Sequence, residues 1–456
     1  MDTHRYIARL ILEAETPLFV GSGAASLLKD ALVQKDTNGF PMIQGTSLAG
    51  VLRNAFAEIN PTLVNTFFGS DDSKNTKGSL LKVSSAYLLL NNNKISEGII
   101  SDLDEALLSR FSDLPTRQHV RISDKGTAVK NGLYDNEVVF KGTRFMFEIE
   151  LRGNHSDEQN WNQILELIKS PTFRLGSGTR NGYGNLKVIS MFTKLFDLKN
   201  LTDFEAYLNF DPSFNSNLKW EVVINTDETS ERYTKFNLAL KPDSFFIFSE
   251  GFGDDEADNR PLEEDIVVYA NGKMDFQKQT VIPASSIKGA IAHRVAFHYN
   301  KIKQQFADEN NGTIGNANLA VTTLFGKAGK DVKEAEAGNI FINDFYFTKD
   351  EIANNKIFNH VAIDRFTGGA VDGALFSEKV TNLVNGKFEF NIFVKNEALK
   401  DNEVQTALVE TLKDVCKGLL PLGGMTTKGH GMFTGKLVIN GEEQFDYNNK
   451  ETTLCL

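Results

Sequence analysis

The stretch Phe173-Arg-Leu-Gly-Ser-Gly-Thr-Arg-Asn-Gly-Tyr-Gly184 contains four glycines in the pattern G-x-G-x-x-x-G-x-G. A related stretch, Leu422-Gly-Gly-Met-Thr-Thr-Lys-Gly-His-Gly431, lies far downstream. In both stretches a leucine comes first, and a G-x-G precedes a polar–apolar alternation that is typical of a strand. Equivalent positions in the two stretches are 247 residues apart. This offset indicates an internal repeat.

Further matched pairs occur in the same order along the chain. They are Ile43–Leu52 with Ile282–Ile291 (offset 239), Phe67–Gly69 with Leu324–Gly326 (257), His119–Ile122 with His360–Ile363 (241), and Ala128–Val129 with Ala370–Val371 (242). The pairs are collinear while the offsets drift. The sequence therefore predicts two homologous domains, at residues 1–212 and 213–456, with loop insertions of different lengths.

The composition sets broad limits on the class of protein. A chain of 456 residues that is 41% hydrophobic can bury two ordinary cores. The apolar runs are too short to cross a bilayer and no signal-peptide pattern opens the chain, so we expect a cytoplasmic protein without membrane contact. A net charge of −11 counts against a free-standing, non-specific nucleic-acid binder, although it does not exclude a local basic groove. Two cysteines without a C-x-x-C pair make a zinc site improbable.

The order of apolar patterns predicts an α+β fold in each half. Strand, loop, helix, strand, strand, helix, strand is the order of a ferredoxin-like (RRM-like) domain, with an antiparallel sheet and helices on one face. The predicted elements of the first domain are a strand at 6–15, a helix from Leu48, β structure at 80–90, a helix at 97–111, an extended hairpin with arms at 119–122 and 137–140, a strand at 145–151, a helix at 161–169 and a strand at 186–192. A joint at 195–230 leads to a strand at 236–248, an acidic loop at 249–280, a helix at 287–299, a strand at 339–347, a hairpin at 360–380, a strand at 388–394 and a helix at 402–416.

The glycine stretches and the two helix starts each permit a phosphate-binding interpretation. Dense glycine lets a backbone approach a phosphate chain and direct N–H groups at it, although a tight turn between strands explains the same pattern. A strand rather than a helix follows, so this is no dinucleotide fingerprint. The pairs Thr46-Ser47 and Ser285-Ser286 open predicted helices, where free N–H groups and hydroxyls bind anions or simply cap the helix.

Two histidines and two aspartates are the remaining candidates. His119 and His360 match each other but fall in different domains, so structural or RNA-stacking roles are favoured over a shared acid–base site. Asp30 lies 15 residues before Gly45, and Asp265 lies 19 residues before Ala284. A lone loop aspartate is usually solvated. Beside a phosphate-binding helix start it could instead hold a metal ion or orient a ribose 2′-hydroxyl.

At these residues the sequence resembles the RAMP superfamily of CRISPR proteins, and more narrowly the backbone-forming branch that assembles type III effector complexes. The resemblance covers nearly the whole chain twice, and it rests on Gly45-Thr-Ser-Leu-Ala-Gly-Val-Leu-Arg53, Ala284-Ser-Ser-Ile-Lys-Gly-Ala-Ile-Ala-His-Arg294, His360-Val-Ala-Ile-Asp-Arg-Phe-Thr-Gly368 and both glycine stretches. Two such domains in one chain look like the tandem backbone fusion of type III-D systems. Departures from the family pattern are Ala49 and Ala292, where lysine and arginine are usual, and Gly423-Gly424 in place of G-x-G.

The resemblance implies a function for each part of the fold. Each palm would grip a guide crRNA, and each hairpin, at about 119–140 and 360–380, would act as a thumb that interrupts the duplex with a complementary target RNA. An aspartate before the capped helix would support metal-dependent target cleavage, with Mg²⁺ or Mn²⁺, and other CRISPR effector subunits would be partners. The implied catalytic and metal-binding residues are Asp30 and Asp265, with Glu264 as a rival to Asp265. The implied RNA-binding residues are Thr46, Ser47, Arg53, Ser285, Ser286, Lys288, Gly176, Gly178, Arg180, Gly182, Gly423, Gly424, Lys428, Gly429, His119 and His360.

Three other functions remain open on the sequence. A non-catalytic guide-RNA scaffold would share every feature except cleavage. A guide-processing endoribonuclease of the same superfamily would need a histidine early in the first domain, and none is well placed. A carbohydrate- or protein-binding module would suit the 35 phenylalanines, although phenylalanine is more often found in a core.

Overall fold

The computed structural model describes residues 2–25, 29–70, 76–122, 127–216, 220–222, 232–305, 318–327, 334–352, 355–384 and 386–448. Part of the predicted tip of the first thumb, at 123–126, and part of the predicted joint, at 217–219 and 223–231, lie outside these residues.

The first half of the chain forms one six-stranded antiparallel sheet with helices packed on it, and a separate two-stranded hairpin. Its elements are β1 (His4–Ala14), α1 (Gly45–Ala57), α2 (Val64–Phe67), β2 (Leu81–Val83), β3 (Tyr87–Leu88), α3 (Glu105–Ser112), β4 (Thr116–Ile122), β5 (Ala128–Glu137), β6 (Arg144–Gly153), α4 (Glu158–Lys169), β7 (Leu186–Asp197), α5 (Leu201–Leu208) and β8 (Glu221–Val222). Short 3₁₀ turns occur at Asn91–Asn93 and His155–Asp157.

The second half repeats this plan with additions. Its elements are β9 (Tyr233–Pro242), β10 (Glu263–Ala270), β11 (Lys273–Ile282), α6 (Ala284–Ile302), α7 (Leu319–Phe325), β12 (Gly326–Lys327), β13 (Glu336–Ala337), β14 (Ile340–Ile342), β15 (Phe345–Phe347), β16 (Lys356–Ile363), β17 (Ala370–Val380), β18 (Phe388–Lys395), α8 (Asn402–Cys416), β19 (Phe433–Ile439) and β20 (Glu442–Asp446). Short 3₁₀ turns occur at Asn396–Leu399 and Thr426–Lys428.

The strand orders of the two main sheets confirm the predicted fold and the repeat. They are β2-β6-β1-β7-β8 and β14-β18-β9-β19-β20, with every pairing antiparallel. The first strand of each domain lies in the middle of its sheet, β1 between β6 and β7 and β9 between β18 and β19, as in a ferredoxin-like domain. Helix α1 buries Leu48, Leu52 and Phe56, spaced four residues apart on one face, against the first sheet.

The backbone also repeats in the loops that follow β1 and β9, at an offset of 228 residues. The equivalent backbone hydrogen bonds are Ser22 N to Leu32 O with Glu250 N to Arg260 O, and Gln34 N to Val20 O with Leu262 N to Phe248 O. Residues 18–25 and 29–33 therefore correspond to residues 246–253 and 257–261.

Several predicted elements have different bounds. The prediction of an acidic loop at 249–280 is wrong from residue 263 onward, where the chain forms a two-stranded hairpin, β10–β11. Charged and apolar residues alternate along its strands. The first thumb is β4–β5, so its return arm is 128–137, and 138–140 enters the core. The helix predicted at 97–111 is confined to α3, and the joint at 195–230 contains the end of β7 and the helix α5.

The segment after α5 lies against the first sheet. Arg9 of β1 is fully buried, donates to the backbone carbonyls of Asp211 and Ser213, and lies under the rings of Phe214 and Trp220. Strand β8 then extends the same sheet beyond β7. The boundary between residues 212 and 213 stays a prediction; contacts with the first sheet continue to residue 222.

The hairpin β10–β11 is inserted in the second domain but packs on the first. Val267 belongs to the first core, and its amide donates to the carbonyl of Lys141 (2.8 Å). Phe276 packs edge-on against Phe111 and Phe140, and the Tyr269 hydroxyl donates to Leu89 O (2.8 Å). We call β10–β11 the insert hairpin; it joins the two domains through apolar contacts.

A buried arginine completes this contact. Arg117 of the first thumb donates two hydrogen bonds to Glu264 (2.7 and 2.6 Å) and one to Asp344 (2.6 Å). The side chains of Arg117 and Asp344 are 4% and 0% exposed. Charges that are this deeply buried are tolerated only when they are paired, so this cluster admits one arrangement of the two domains.

We expect Arg117→Ala to lower the free energy of unfolding by about 3–5 kcal/mol, because it leaves the fully buried Asp344 and the partly buried Glu264 without their cation. Arg110→Ala is the matched control, since Arg110 also reaches across the domains, to Asp265, but from a side chain that is 51% exposed. It should cost about 1 kcal/mol or less. Urea unfolding followed by circular dichroism measures both, and equal losses would contradict the role given to Arg117.

Candidate nucleic-acid interface

The first glycine stretch, residues 173–184, lies against the helix start of the second domain. We call it glycine loop 1, and we call residues 422–431 glycine loop 2. A Cβ at Gly182 would lie 2.6 Å from the Cβ of Ala284, the first residue of α6, so only glycine allows this approach. The amide of Ala284 donates to Asp344 (2.7 Å). The structure therefore brings the glycine loop of the first domain to the helix start of the second.

Three cations crowd together at this junction. Lys288 donates to Asn181 (3.2 Å), Arg180 donates to the carbonyl of Gly338 (2.6 Å), and Arg174 is buried with an unpartnered Nε. Burial, together with the charge of Arg180, lowers the pKa of Arg174 to about 9 and lowers the pKa of Lys288. Burial also lowers the pKa of Arg180.

Besides these three cations the junction contains the carboxylate of Asp344, which is already bound to Arg117 and to the amide of Ala284. In the part of the chain that the structure describes, none of the three forms a salt bridge with a carboxylate. Thr179 lies in glycine loop 1. Ser285 and Ser286 lie in the first turn of α6, and Ser286 is exposed. Cations that form no direct salt bridge, beside the first turn of a helix, can bind a phosphate group.

The other residues that were predicted to bind phosphate do not lie together at one site. Glycine loop 2 lies on its own domain, where the amide of Gly424 donates to Ile247 O (2.7 Å), and Lys428 is exposed over the ring of Phe376. In α1 the N-cap is Gln44, so Thr46 and Ser47 lie within the first turn rather than at the cap. Arg53, which was predicted to bind phosphate, donates hydrogen bonds to the carbonyls of Phe68 and Gly69 in the loop after α2.

The matched histidines lie at the bases of the thumbs and stack in the same way. His119 stacks on Tyr134 and His360 stacks on Phe376, with interplanar angles of 20° and 19°. His119 is 8% exposed and hydrogen-bonds the Tyr183 hydroxyl, which favours the structural role among the two that were predicted for it. His360 is half-buried and donates to Glu378.

Asp30 is exposed and tied to the first thumb. Its amide donates to the carboxylate of Asp135 (2.9 Å), and the amide of Asp135 donates to the carboxylate of Asp30 (3.2 Å). One residue on, the amide of Glu137 donates to the carbonyl of Ala31. The carboxylate is thereby held at the foot of β5, on the surface.

The structural counterpart of Asp30 is Asp258. The amide of Asp258 donates to the Ser377 hydroxyl (3.1 Å), and the amide of Ser377 donates to the Asp258 carboxylate (2.7 Å). One residue on, the amide of Lys379 donates to Asn259 O. The hydrogen bonds from Ser377 lower the pKa of Asp258, so this exposed carboxylate stays ionised.

The structure places Asp265 elsewhere, which corrects the predicted correspondence with Asp30. Asp265 lies within β10 of the insert hairpin and pairs with Arg110, while its rival Glu264 is bound to Arg117. Counting back from the helix starts predicts Asp265 rather than Asp258, because the insert hairpin lies between Asp258 and α6. The apolar triplets Leu18-Phe-Val20 and Phe246-Ile-Phe248 carry the signal that would have found it.

The fit of a divalent metal to these sites is limited by the number of ligands. Among the described residues, no group of three or more His, Cys, Asp or Glu side chains is arranged to hold a metal ion. The first site offers the adjacent carboxylates of Asp30 and Asp135, and the second offers Asp258. Mg²⁺ is commonly held by one or two carboxylates together with water and substrate phosphates, which fits the first site better than the second.

Comparison with known proteins identifies the family. The model of the RAMP superfamily matches residues 11–187 and 275–434, which together make up well over half of the chain. A curated relative, the CRISPR system Cms endoribonuclease Csm3 of Methanocaldococcus jannaschii, is 28% identical over 202 residues, which cover 39% of this chain and 75% of the relative.

Chains from two solved structures of the type III-B Cmr-beta complex also match. One structure is in the apo state and the other is bound to cognate target RNA; the matching chains are 16% and 15% identical to this one, with TM-scores of 0.31 and 0.33. Each match covers 40% of this chain and 96% of the other. Among the helices that the structure describes, none is both long and apolar enough to span a membrane.

We expect the stability of the protein to fall between pH 7 and pH 5 through His119. Burial, aided by the charge of Arg117, lowers the pKa of His119 from 6.5 to about 4. In this window the unfolded chain binds more protons than the folded chain, so the stability falls as the pH falls. Proton linkage lowers the free energy of unfolding by about 2 kcal/mol at pH 5.

The substitution His119→Gln removes the titrating group while keeping a polar partner for Tyr183. The loss of unfolding free energy between pH 7 and pH 5 should therefore be smaller in the variant, by about 2 kcal/mol. Urea titrations at both pH values measure the difference. An identical pH dependence in the two proteins would show that His119 is not buried as the neutral imidazole.

Proposed function

This chain is a member of the RAMP superfamily, and from that premise we propose that it is a guide-RNA-binding backbone subunit of a type III CRISPR effector complex that also cleaves complementary target RNA. The observation that carries the proposal is the cation cluster of Arg174, Arg180 and Lys288 at the junction of the two domains. The similarity to the Methanocaldococcus relative, which is named as an endoribonuclease of a CRISPR system, supports it.

The cluster suits an RNA backbone better than a single small anion. Glycine loop 1 brings main-chain atoms to the junction, and α6 brings its N-terminal end. Backbone N–H groups, helix N-termini and guanidinium groups bind phosphates without regard to base identity. A guide whose sequence varies must be held in this way, because the protein cannot depend on any one base.

The chain's own residues define what cleavage would require. Asp30 and Asp258 are the equivalent exposed carboxylates, each fixed at the foot of a thumb by a reciprocal pair of hydrogen bonds. A carboxylate held beside a bound strand can orient a ribose 2′-hydroxyl and accept its proton. A divalent cation, Mg²⁺ or Mn²⁺, would supply charge stabilisation at the phosphate when bound. Asp135 is the additional carboxylate at the first site.

A non-catalytic scaffold is the second candidate function, and one observation favours it. The second site presents Asp258 with a serine hydroxyl rather than a second carboxylate, and no ready three-ligand metal site occurs in the described ranges. The two candidates share guide binding and differ only in cleavage.

We expect the double substitution Arg180→Ala and Lys288→Ala to weaken guide-RNA binding and to reduce its salt dependence. For single-stranded RNA, each lost phosphate contact should make the slope of log K against log salt shallower by about 0.7. Filter binding of labelled guide RNA at several salt concentrations measures both effects. Lys400→Ala is the control, because Lys400 is 73% exposed and pairs with Glu397.

The outcome for the control decides how the result is interpreted. An unchanged slope in the double variant, or an equal change in Lys400→Ala, would show that the cluster does not contact the guide. Thermal melting of both variants separates a loss of binding from a loss of folding.

For cleavage, we expect Asp30→Asn and Asp258→Asn each to abolish one of two cuts in a labelled target RNA. Asparagine keeps the hydrogen-bonding shape and removes the charge that the reaction needs. Asp265→Asn is the matched control and should leave both cuts intact. The assay uses the complex assembled with its guide, and chelation of divalent cations should stop both cuts in the unmodified protein.

Retention of both cuts in the Asp30→Asn, Asp258→Asn double variant would support the scaffold function instead. Loss of a cut in Asp265→Asn would reinstate that residue and contradict the correspondence drawn from the thumb contacts.

A further inference from the structure

The foot of each thumb carries one charged residue that binds the loop below it. These residues are Glu137 and Lys379, whose amides donate to equivalent carbonyls in the loops that contain Asp30 and Asp258. We propose that the side chains of Glu137 and Lys379 are positioning groups, which hold the two aspartates where target cleavage requires them. This role rests on the proposed function. We call the contacts of the Glu137 side chain the first clamp and those of the Lys379 side chain the second clamp.

The first clamp binds the loop on both sides of Asp30. One carboxylate oxygen of Glu137 accepts from the Lys29 ammonium group (3.0 Å), and the other accepts from the amide of Val33 (2.9 Å). The side chains of Glu137 and Lys29 are 4% and 19% exposed. An ion pair that is shielded from water in this way is stronger than one on the surface, so it can fix the loop that it binds.

The first loop requires such an anchor because Asp30 lies beside Asp135. Each of the two carboxylates accepts the amide hydrogen of the other residue. Two carboxylates that are held so close repel each other when both are ionised. The contacts of Glu137 with Lys29 and Val33 oppose this repulsion, because they hold the chain before and after Asp30.

The second clamp has the same place in the fold, with the charges exchanged. Lys379 donates to Asp254 (2.9 Å) and to Glu256 (2.5 Å), both in the loop that leads to Asp258. The hydrogen bond from Lys379 lowers the pKa of Asp254 to about 2, so that this partner is ionised at neutral pH. In the first clamp the strand supplies the anion and the loop the cation, whereas in the second the strand supplies the cation.

One further pair of residues explains why the exchange is tolerated. The counterpart of Val33 is Pro261, as the matching backbone bridges at these positions indicate. Glu137 accepts the buried amide of Val33, which a lysine could not do because an ammonium group only donates. Proline has no amide hydrogen, so Lys379 leaves no such donor without a partner. The sign of each clamp therefore follows from the residue that lies opposite it in the loop.

The rates of the two cuts in a labelled target RNA, in the complex assembled with its guide and at saturating target, test the proposal. We expect Glu137→Gln to slow the cut that depends on Asp30 by about 10- to 100-fold, the effect of a displaced group. The cut that depends on Asp258 should keep its rate, which controls for folding within the same molecule. Target affinity should be unchanged.

Lys379→Gln should have the opposite selectivity and a smaller effect. It should slow the cut that depends on Asp258 by about fivefold or less, because Glu256 is 66% exposed and such pairs are weak. Glu150→Gln is the matched control. Glu150 is also a largely buried glutamate paired with a cation, Arg5, but it lies on β6. Both cuts should keep their rates in this variant.

A double-mutant cycle tests whether the pair of Glu137 with Lys29 causes the effect. Lys29→Met should slow the same cut, and Lys29→Arg should retain it. The double variant Lys29→Met, Glu137→Gln should be no slower than the slower single variant, because the two changes remove one interaction. Multiplied effects in the double variant would overturn the pairing of these two residues.

Hydrogen exchange of the amides at residues 29–33 tests the positioning role without cleavage. Exchange should be faster in Glu137→Gln, because the loop opens more often when the clamp is lost. Unchanged exchange, or an unchanged ratio of the two cuts, would overturn the role of Glu137. If the unmodified complex makes no cut while Glu137→Gln speeds exchange, the clamp stands and the proposed cleavage fails.

Discussion

The contact of Arg117 with Glu264 and Asp344 is the constraint on which the arrangement of the domains depends. An arginine removed from water gains enough from its partners only when the hydrogen bonds are short and well aligned, and here three of them are 2.6–2.7 Å long. Its two acidic partners come from the second domain, so a different docking angle would leave buried charges unpaired. The same contact places glycine loop 1 on α6, since Asp344 also accepts the amide of Ala284.

When the domains are fixed in this way, positively charged side chains lie together at the junction without direct carboxylate partners. The chain as a whole carries a net charge of −11, yet Arg174, Arg180 and Lys288 meet at the junction without a carboxylate bound to them in the described part of the chain. Net charge controls long-range attraction, whereas a phosphate in contact responds to the local field. A negative protein can therefore hold a negative polymer, provided that the excess acid lies on other surfaces.

The repeat, the α+β class and the positions of most helices follow from the sequence, because glycine patterns and apolar spacing are local signals. Helix α4, with Trp161, Ile164 and Ile168 buried on one face, is an example. The composite site could not be predicted, because no local pattern records which loop meets which helix across two domains. Asp258 was missed for a related reason: it is equivalent to Asp30 through backbone hydrogen bonds that different side chains can make, an aspartate at 135 and a serine at 377.

The bases of the two thumbs show how far the copies have diverged beneath a common backbone. In the first, neutral His119 bonds to Tyr183, and the cation Arg117 lies 5.1 Å from the same tyrosine ring. In the second, the fully buried Glu378 takes the place of Asn136 and accepts hydrogen bonds from His360 and His430 (2.8 and 3.0 Å). The base below Asp30 thus contains the buried Arg117 with its carboxylate partners Glu264 and Asp344, whereas the base below Asp258 contains the buried Glu378 with two histidines. Because electrostatic interactions are strong where water is excluded, two carboxylates with the same backbone geometry experience different fields, and the two sites are not chemically equivalent.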